Sequence, residues 1–190
     1  MLRISGLLIG TALAVSTPTF AETEDGLYGA AVPNDAVFLR RLGSAEIPTS
    51  LFGRSFSSAE LPEATYVAIS AAALTGAEPG GHYTVIDAAI LQEPARTDRS
   101  KVYLFLLNAS PADARLVVAG GGPVVIGATA QGQIAERAVN PLAVVLTVEA
   151  GGVSQDFDVV LRRGVNLTFV VADGQARLIE NRFGPVLDLE

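Results

Sequence analysis

Few side chains in this sequence could take part in catalysis. The chain has one histidine, His82, and no cysteine. A Ser-His-Asp triad would have to use His82. The sequence has no G-x-S-x-G motif that would present a serine nucleophile beside it. His82 follows Gly80 and Gly81 at the start of a predicted strand, so we interpret it as a residue that flanks a turn.

Carboxylates are the other groups with possible chemistry. Asp156 and Asp158 lie two positions apart on a predicted strand, which places both on one face of a sheet. A metal site needs several ligands at set spacing, and the sequence has no Asp-rich loop of the calcium-binding type. We interpret the two aspartates as part of a solvated strand face, and we expect no catalytic residue, no metal and no cofactor.

Two arginine pairs are candidates for contacts with an anion or a partner: Arg40-Arg41 and Arg162-Arg163. Neighbouring residues of a strand point to opposite faces. One of Arg40 and Arg41 must therefore leave the solvent-facing row, unless their strand is an edge or lies at a domain junction. Charge that protects an edge strand from aggregation is the alternative explanation. We favour that explanation for Arg162-Arg163 and leave both open for Arg40-Arg41.

Aromatic residues are scarce, and tryptophan is absent. Proteins that bind sugars usually present flat aromatic rings for stacking. The aromatic side chains available for such contacts are Tyr28, Tyr66, Tyr83 and Phe183. Together with the four arginines, Tyr28 and Tyr83 form our set of candidate contact residues for a partner or a polymer.

The N-terminus has the pattern of an export signal. Arg3 precedes the apolar run Gly6–Val15, and a small-x-small pattern ends at Ala21. The run is too short to span a bilayer comfortably, so we predict a signal peptide over residues 1–21, cleaved after Ala21. The alternative is an uncleaved anchor. Export without cysteine suits the periplasm, and no later run predicts a transmembrane helix.

Bulk composition limits the possible partners and the size of the core. Hydrophobic residues make up 49% of the chain, which is enough for a sizeable core. The formal net charge of −7 at pH 7 argues against nucleic acid, because binding to phosphates needs a basic face. The same charge weakens the case for tight binding of an acidic polysaccharide.

Short strands separated by glycine-containing turns predict an all-β protein. Two hairpins are expected, around Gly151-Gly152 and around Asp173-Gly174. Lys101–Asn108 is nearly continuous in apolar residues, so we predict a strand that is buried on both faces.

Two pairs of similar segments within the sequence predict a divergent duplication. Val37–Ala45 reads VFLRRLGSA, and Val102–Ser110, at an offset of 65, reads VYLFLLNAS. Gly80–Ile86 likewise resembles Arg163–Val170, because in both a glycine ends a turn and a strand with a threonine follows. Two pairs of similar segments in the same order indicate two related units. We therefore expect two small β-sandwich-like domains.

Domain boundaries follow from changes in composition. After the signal peptide we predict an extended segment at 22–35 and a first β domain at 36–91. The polar stretch 92–100, which contains Pro94, is the best linker. The second β domain then covers 101–183, and residues 184–190 form a C-terminal tail.

Three segments carry a resemblance to a known family. The first is Gly26-Leu27-Tyr28-Gly29 with Pro33, running into Ala36–Leu42. The second is Lys101–Asn108. The third is Glu136–Pro141, leading into Val144, Leu146 and Val148. On these segments the chain resembles the AlgF family of accessory proteins in alginate O-acetylation, over roughly Gly26 to Phe183.

The resemblance implies a periplasmic, two-domain, all-β adaptor without catalytic residues of its own. Its implied partners are a membrane O-acyltransferase and a periplasmic O-acetyltransferase, between which it helps to pass acetyl groups to the exopolysaccharide. The resemblance leaves the polymer open, since alginate and other acetylated exopolysaccharides both fit.

Two other functions remain open. One is a tandem carbohydrate-binding module that grips the polymer directly, against which the missing tryptophan and the acidic charge both count. The other is a structural β-sandwich protein that adds a strand to a partner. A long apolar strand such as Lys101–Asn108 could serve at an edge for that purpose.

Overall fold

The computed structural model describes residues 31–43, 50–86 and 89–189, which form thirteen strands and one short 3-10 turn at Ala71–Ala73. The strands are β1 (Ala36–Arg41), β2 (Thr65–Ser70), β3 (His82–Ile86), β4 (Ala89–Gln92), β5 (Val102–Asn108), β6 (Ala114–Val118), β7 (Val124–Thr129), β8 (Gln133–Val139), β9 (Ala143–Ala150), β10 (Val153–Val160), β11 (Leu167–Ala172), β12 (Gln175–Glu180) and β13 (Arg182–Leu187). The predicted all-β class is confirmed.

Two of the predictions concern the N-terminal residues of the chain. The predicted signal peptide at 1–21 and the candidate contact residue Tyr28 lie outside the described residues. Among the residues that are described, no helix has the length and apolar character needed to cross a membrane.

The strands form three sheets. The first sheet has the order β13-β2-β1-β3-β4, the middle sheet β12-β11-β5-β8, and the outer sheet β10-β9-β6-β7. The middle and outer sheets enclose one apolar core, which includes Leu106 of β5 and Leu116 of β6. The first sheet packs on the opposite face of the middle sheet, where Leu42 meets Leu107 and Val170.

Strand β5 lies at the centre of this arrangement, and all seven of its residues are buried. Leu104 and Leu106 face the core between the middle and outer sheets. Leu107 faces the first sheet. A strand that is covered on both sides needs apolar residues at successive positions. The prediction that this segment is buried on both faces is confirmed.

The far face of the first sheet is covered by connecting segments instead of by another sheet. Val37, Val67 and Val85 from three strands pack there against side chains from the loops. The loop residues of this cluster are Leu51, Phe56, Leu61 and Leu74. The first unit is thus a sheet with a layer of loops on one side, and the second unit is a complete sandwich.

The predicted duplication is confirmed in the strand pairing. In the first unit, β1 pairs antiparallel with β2 and parallel with β3, and β3 pairs antiparallel with β4. In the second unit, β5 pairs antiparallel with β8 and parallel with β11, and β11 pairs antiparallel with β12. The offset of 65 therefore joins the equivalent strands β1 and β5.

Both hairpin predictions are confirmed. Ala150 pairs with Val153 around Gly151-Gly152, and Ala172 pairs with Gln175 around Asp173-Gly174. Both residues of each turn have positive φ, with 50° at Asp173 and 71° at Gly174. Such two-residue turns match the twist of the strands they join.

The C-terminal segment differs from the predicted tail. Residues 182–187 form β13, which pairs in parallel with β2 and is an edge strand of the first sheet. The second domain therefore ends before residue 183. The pairing is interrupted between Phe183 and Val186, where Gly184 and Pro185 lie. Proline lacks an N–H donor, so a bulge on an edge strand is a position that tolerates it.

Candidate functional site

The junction between the two units is built around Arg40, whose side chain has no solvent exposure. Its Nε donates to Thr84 Oγ1 at 2.8 Å, and its Nη1 donates to Asn181 Oδ1 at 2.8 Å. Its Nη2 donates to Glu93 Oε1 at 2.8 Å and to Thr168 Oγ1 at 3.0 Å. These acceptors come from both units, so one guanidinium fastens the first sheet to the middle sheet.

Glu93 supplies the balancing charge. Its carboxylate accepts hydrogen bonds from the Tyr66 hydroxyl at 2.6 and 2.7 Å, from the Thr84 hydroxyl and from Arg96 Nη2 at 2.6 Å. Burial opposes ionisation of Glu93, but Arg40 and Arg96 and the two hydroxyl donors outweigh it and lower its pKa. The carboxylate is therefore charged and paired.

Arg96 closes the junction from the side of the predicted linker. Its Nη2 also donates to the Tyr66 hydroxyl at 2.9 Å, and its guanidinium carbon lies 4.8 Å from the ring centre of Phe105. Only 11% of its side chain is exposed. Segment 92–100 is thus part of the packed junction, which differs from the polar linker that its composition predicts.

Three of the candidate contact residues are occupied inside the molecule. Arg40 is fully buried, so the prediction that it contacts a partner is wrong, and the junction alternative explains its position. Arg41 is half-buried and donates to the carbonyl oxygens of Gly43 at 2.6 Å and Leu61 at 3.3 Å. Tyr83 is buried against Phe52 and belongs to the core, which corrects its selection as a contact residue.

His82 is part of an aromatic cluster. Its ring stacks on Phe38 with the centres 4.6 Å apart, and its Nδ1 lies 3.2 Å from the carbonyl oxygen of Gly80. Burial, with the positive charge of Arg96, lowers the pKa of His82 to about 4. The ring is therefore neutral at neutral pH. Phe183 of β13 stacks on Tyr66 in the same cluster and is 55% exposed.

The solvent-facing side of the outer sheet carries a different kind of surface. Four large apolar side chains with 38–58% exposure lie on this sheet or at its border, and we call them the outer apolar face. Its members are Val124, Leu142, Val145 and Val160. Val145 lies directly opposite Asp158 in the pairing of β9 with β10, and Val160 lies opposite Ala143.

The other end of this sheet is polar. Arg115 and Glu149 form an ion pair at 2.5 Å on neighbouring strands. Asp156 accepts a hydrogen bond from the Thr147 hydroxyl at 2.6 Å. Asp156 and Asp158 are both exposed, which agrees with the prediction that they belong to a solvated strand face. The exposed apolar side chains of β9 and β10, Val145 and Val160, thus lie at one end of these strands, whereas Val124 lies in the row of Thr147 and Asp156.

The second arginine pair adjoins the outer apolar face. Arg162 and Arg163 are exposed and follow β10 directly, at the same end of the sheet as Val160. Exposure alternates from Asp156 to Arg162, with Val159 and Leu161 buried between the exposed positions. Of the six candidate contact residues, only Arg162 and Arg163 are both described and freely exposed.

Sequence reasoning missed the main polar cluster of the molecule. Glu93 and Arg96 lie in a polar stretch with Pro94, which has the composition of a linker. Asn181 follows β12 without any local motif. The one available signal was Arg40 itself, since a charged residue within an apolar strand requires a buried partner or an exposed edge.

Comparisons with known proteins returned solved structures only. No family model and no curated protein matches the chain. The C-terminal domain of AlgF from P. aeruginosa matches at 25% identity and a TM-score of 0.38, covering 43% of this chain and 99% of that domain. The N-terminal domain of the same protein matches at 17% identity and a TM-score of 0.35, covering 45% of this chain and 99% of that domain.

Proposed function

We propose that this protein is a periplasmic, non-catalytic adaptor that supports O-acetylation of an exopolysaccharide such as alginate. It acts through protein–protein contacts with a periplasmic O-acetyltransferase and a membrane O-acyltransferase. The observation that supports this proposal most directly is the outer apolar face, which has Arg162 and Arg163 at its border. The resemblance of the sequence to the AlgF family supplies the pathway.

The composition of this face supports a protein partner. A cluster of exposed apolar side chains on one end of a sheet is typical of an interaction site. The centre of a protein interface is depleted in charge, and its rim is polar. Val145 and Val160 match such a centre, while Asp158 and Arg162 match the rim.

The hydrogen bonds and contacts of the buried junction also support this proposal. Arg40 bonds groups of both units, and Arg96 holds the connecting segment against Tyr66 and Phe105. The units are therefore held in one orientation. An adaptor that contacts two proteins benefits from binding faces at a fixed separation, because less conformational freedom is lost on binding.

The test is genetic replacement in the source organism, with the O-acetyl content of the secreted polymer as the readout. Val145→Asp places a charge at the centre of the outer apolar face. We expect it to lower O-acetylation to the level found in a strain from which the gene for this protein is deleted. Ser154→Asp is the matched control, because Ser154 is exposed at the polar end of the same sheet. We expect full O-acetylation from that variant.

Co-purification of the tagged chain with the pathway's acetyltransferase gives the direct readout. Val145→Asp should lose the acetyltransferase, and Ser154→Asp should retain it. Unchanged O-acetylation in the Val145→Asp strain would contradict the proposal. Hydrolysis of acetyl esters by the purified protein would contradict its non-catalytic part.

A carbohydrate-binding function is the second candidate, and exposed Phe183 favours it. Its ring stacks on Tyr66 beside a cleft of about 440 Å³ that is lined by Gly80, His82 and Gln92, among others. An exposed ring beside a polar cleft can stack on a sugar. Calorimetric titration with uronate oligomers tests this, and heat that is lost in Phe183→Ala would favour direct binding of the polymer.

A further inference from the structure

Strand β10 leaves one of its edges open. It is the terminal strand of the outer sheet and pairs only with β9 among the described strands. It is eight residues long, from Val153 to Val160, so it offers a substantial row of backbone donors and acceptors. A row of this kind is a template for another strand.

Space is available beside the C-terminal half of this strand. A cleft of about 410 Å³ lies between β10 and β12, and its lining includes Val160, Arg162 and Leu178. The cleft adjoins the end of β10 at which the apolar side chains are gathered. An added strand would therefore meet both an open backbone edge and an apolar surface.

The exposed charges at this edge have a symmetric arrangement. Asp158 and Arg162 lie two positions before and two positions after Val160, and all three side chains are exposed. Val159 and Leu161 between them are buried, so the three exposed residues share one face of the sheet. Within the described part of the chain, no ion pair involves Asp158 or Arg162.

We propose that residues 158–162, at the C-terminal end of β10, pair antiparallel with the same residues of a second copy of this chain, about a two-fold axis at Val160. The pairing ends at Arg162, because the Val165 N–H closes a turn on the Arg162 carbonyl oxygen. In such a pair, residues at equal distances on opposite sides of Val160 face each other. Asp158 of each copy then lies opposite Arg162 of the other, and the two Val160 side chains meet at the axis. The two outer sheets are thus joined over these five residues of each copy.

The signs of the charges favour this arrangement over edge protection. Charges protect an edge when a second copy brings like charges together. Here the antiparallel arrangement brings opposite charges together twice, and opposite charges on directly facing positions stabilise a strand pair. A two-fold axis also produces a closed dimer and not an open filament. This self-association goes beyond the proposed adaptor function.

The experiment is sedimentation equilibrium of the full mature chain, with charge variants at the two positions. We expect a concentration-dependent dimer in the wild type. Asp158→Arg and Arg162→Asp should each weaken dimerisation by at least about tenfold, because each single change brings like charges together twice. The double variant with both changes should recover most of the wild-type affinity, because the pair is restored in reverse.

Arg163→Asp is the matched control, since Arg163 is exposed beside Arg162 but does not belong to the alternating exposed positions Asp158, Val160 and Arg162. It changes the net charge as Arg162→Asp does, and we expect it to leave the dimer unchanged. A chain that stays monomeric at about 100 µM, well above the micromolar affinities common for specific pairs, would overturn the proposal. A dimer that is indifferent to both single changes, or a double variant that stays monomeric, would also overturn it.

These outcomes can be distinguished from those of the adaptor test. Val145→Asp lies on β9 but places a carboxylate opposite Asp158, so the association state of that variant is measured together with its O-acetylation. Loss of O-acetylation with an intact dimer would support the adaptor proposal alone, and the reverse result would support the self-association alone.

Discussion

The hydroxyl groups of Thr84 and Thr168 bind the same guanidinium, that of Arg40, although the two threonines belong to different units. Thr84 pairs with Arg40 in the first sheet, and Thr168 pairs with Phe105 in the middle sheet. Arg40 and Phe105 are related by the offset of 65. The two units thus pack through equivalent faces, and they have diverged at the central position, where one has a charge and the other a ring.

Removing the central charge is expected to be costly. Arg40→Met leaves the buried carboxylate of Glu93 without its main partner, and breaking a buried ion pair from one side typically costs about 3–5 kcal/mol. We expect a loss of that size in the free energy of unfolding, measured by urea denaturation. Arg163→Met, at an exposed position, is the control and should change stability by less than about 0.5 kcal/mol.

A double variant separates the energy of the lost ion pair from the cost of leaving the Glu93 carboxylate buried without a partner. Arg40→Met with Glu93→Gln removes both charges, so it should recover part of the stability lost in Arg40→Met alone. If the double variant is less stable than the single one, the penalty does not arise from an uncompensated carboxylate.

Arg96 offers a test of guanidinium geometry at constant charge. Both hydrogen bonds of Arg96, to Tyr66 and to Glu93, come from the single nitrogen Nη2, so Arg96→Lys keeps a charged donor but loses the flat group over Phe105. We expect a destabilisation of about 0.5–2 kcal/mol, from the lost contact between the guanidinium and the Phe105 ring. Arg99→Lys, three residues along at an exposed position, is the control. Equal effects in the two variants would show that the planar group over Phe105 is unimportant.

The pKa of His82 predicts a pH dependence of stability. Its ordinary value is 6.5, and burial lowers it to about 4 in the folded chain. Between these values the unfolded chain binds a proton that the folded chain does not, so the free energy of unfolding falls as the pH is lowered through this range. The effect should be on the order of 2 kcal/mol, after allowance for the partial exposure of the ring.

The sequence makes this easy to measure, because His82 is the only histidine. An NMR titration of its ring reports the folded pKa directly, and His82→Gln should flatten the stability profile between pH 4 and 6.5. A titration midpoint near 6.5 would contradict the burial argument. Below pH 4.5 a further loss is expected in both proteins, because the lowered pKa of Glu93 stabilises the fold only above that range.

Gly184 is expected to tolerate no side chain. A Cβ at this position would lie 2.8 Å from Thr65 Cγ2 and 3.3 Å from the Tyr66 carbonyl oxygen. Gly184→Ala should therefore displace β13 from β2 and destabilise the chain by about 1–3 kcal/mol. Gly127→Ala is the control on strand β7, where no atom lies within 4 Å of the added carbon. Hydrogen exchange of the β13 amides would localise the effect.

The parts of the fold that were predicted correctly have local causes. The turn at Asp173-Gly174 needs two residues with positive φ, and that requirement is visible in the two residues themselves. Lys101–Asn108 is apolar at successive positions because both faces of β5 are covered. β13 had no such signal, since Gly184 and Pro185 usually argue against a strand. Its place at the edge of the first sheet depends on β2, more than 100 residues earlier.

The polar site was harder to predict for the same reason. Arg40 bonds Thr84, Glu93, Thr168 and Asn181, which lie 44 to 141 residues further along the chain. Spacing within a segment carries no information about such a set. The outer apolar face, by contrast, lies on strands that were predicted, but exposure of Val145 and Val160 depends on which face of the sheet is left uncovered.

The return of β13 to the first sheet sets an order on biosynthesis. A nascent chain can complete the sandwich of the second unit once residue 180 has emerged, but β2 remains an unpaired edge of the first sheet until residues 182–187 follow. Because β2 borders the strand that carries Arg40, the first unit matures last although it is made first. A chain cleaved before residue 182 would have β2 as an exposed edge strand, which is open to unwanted pairing.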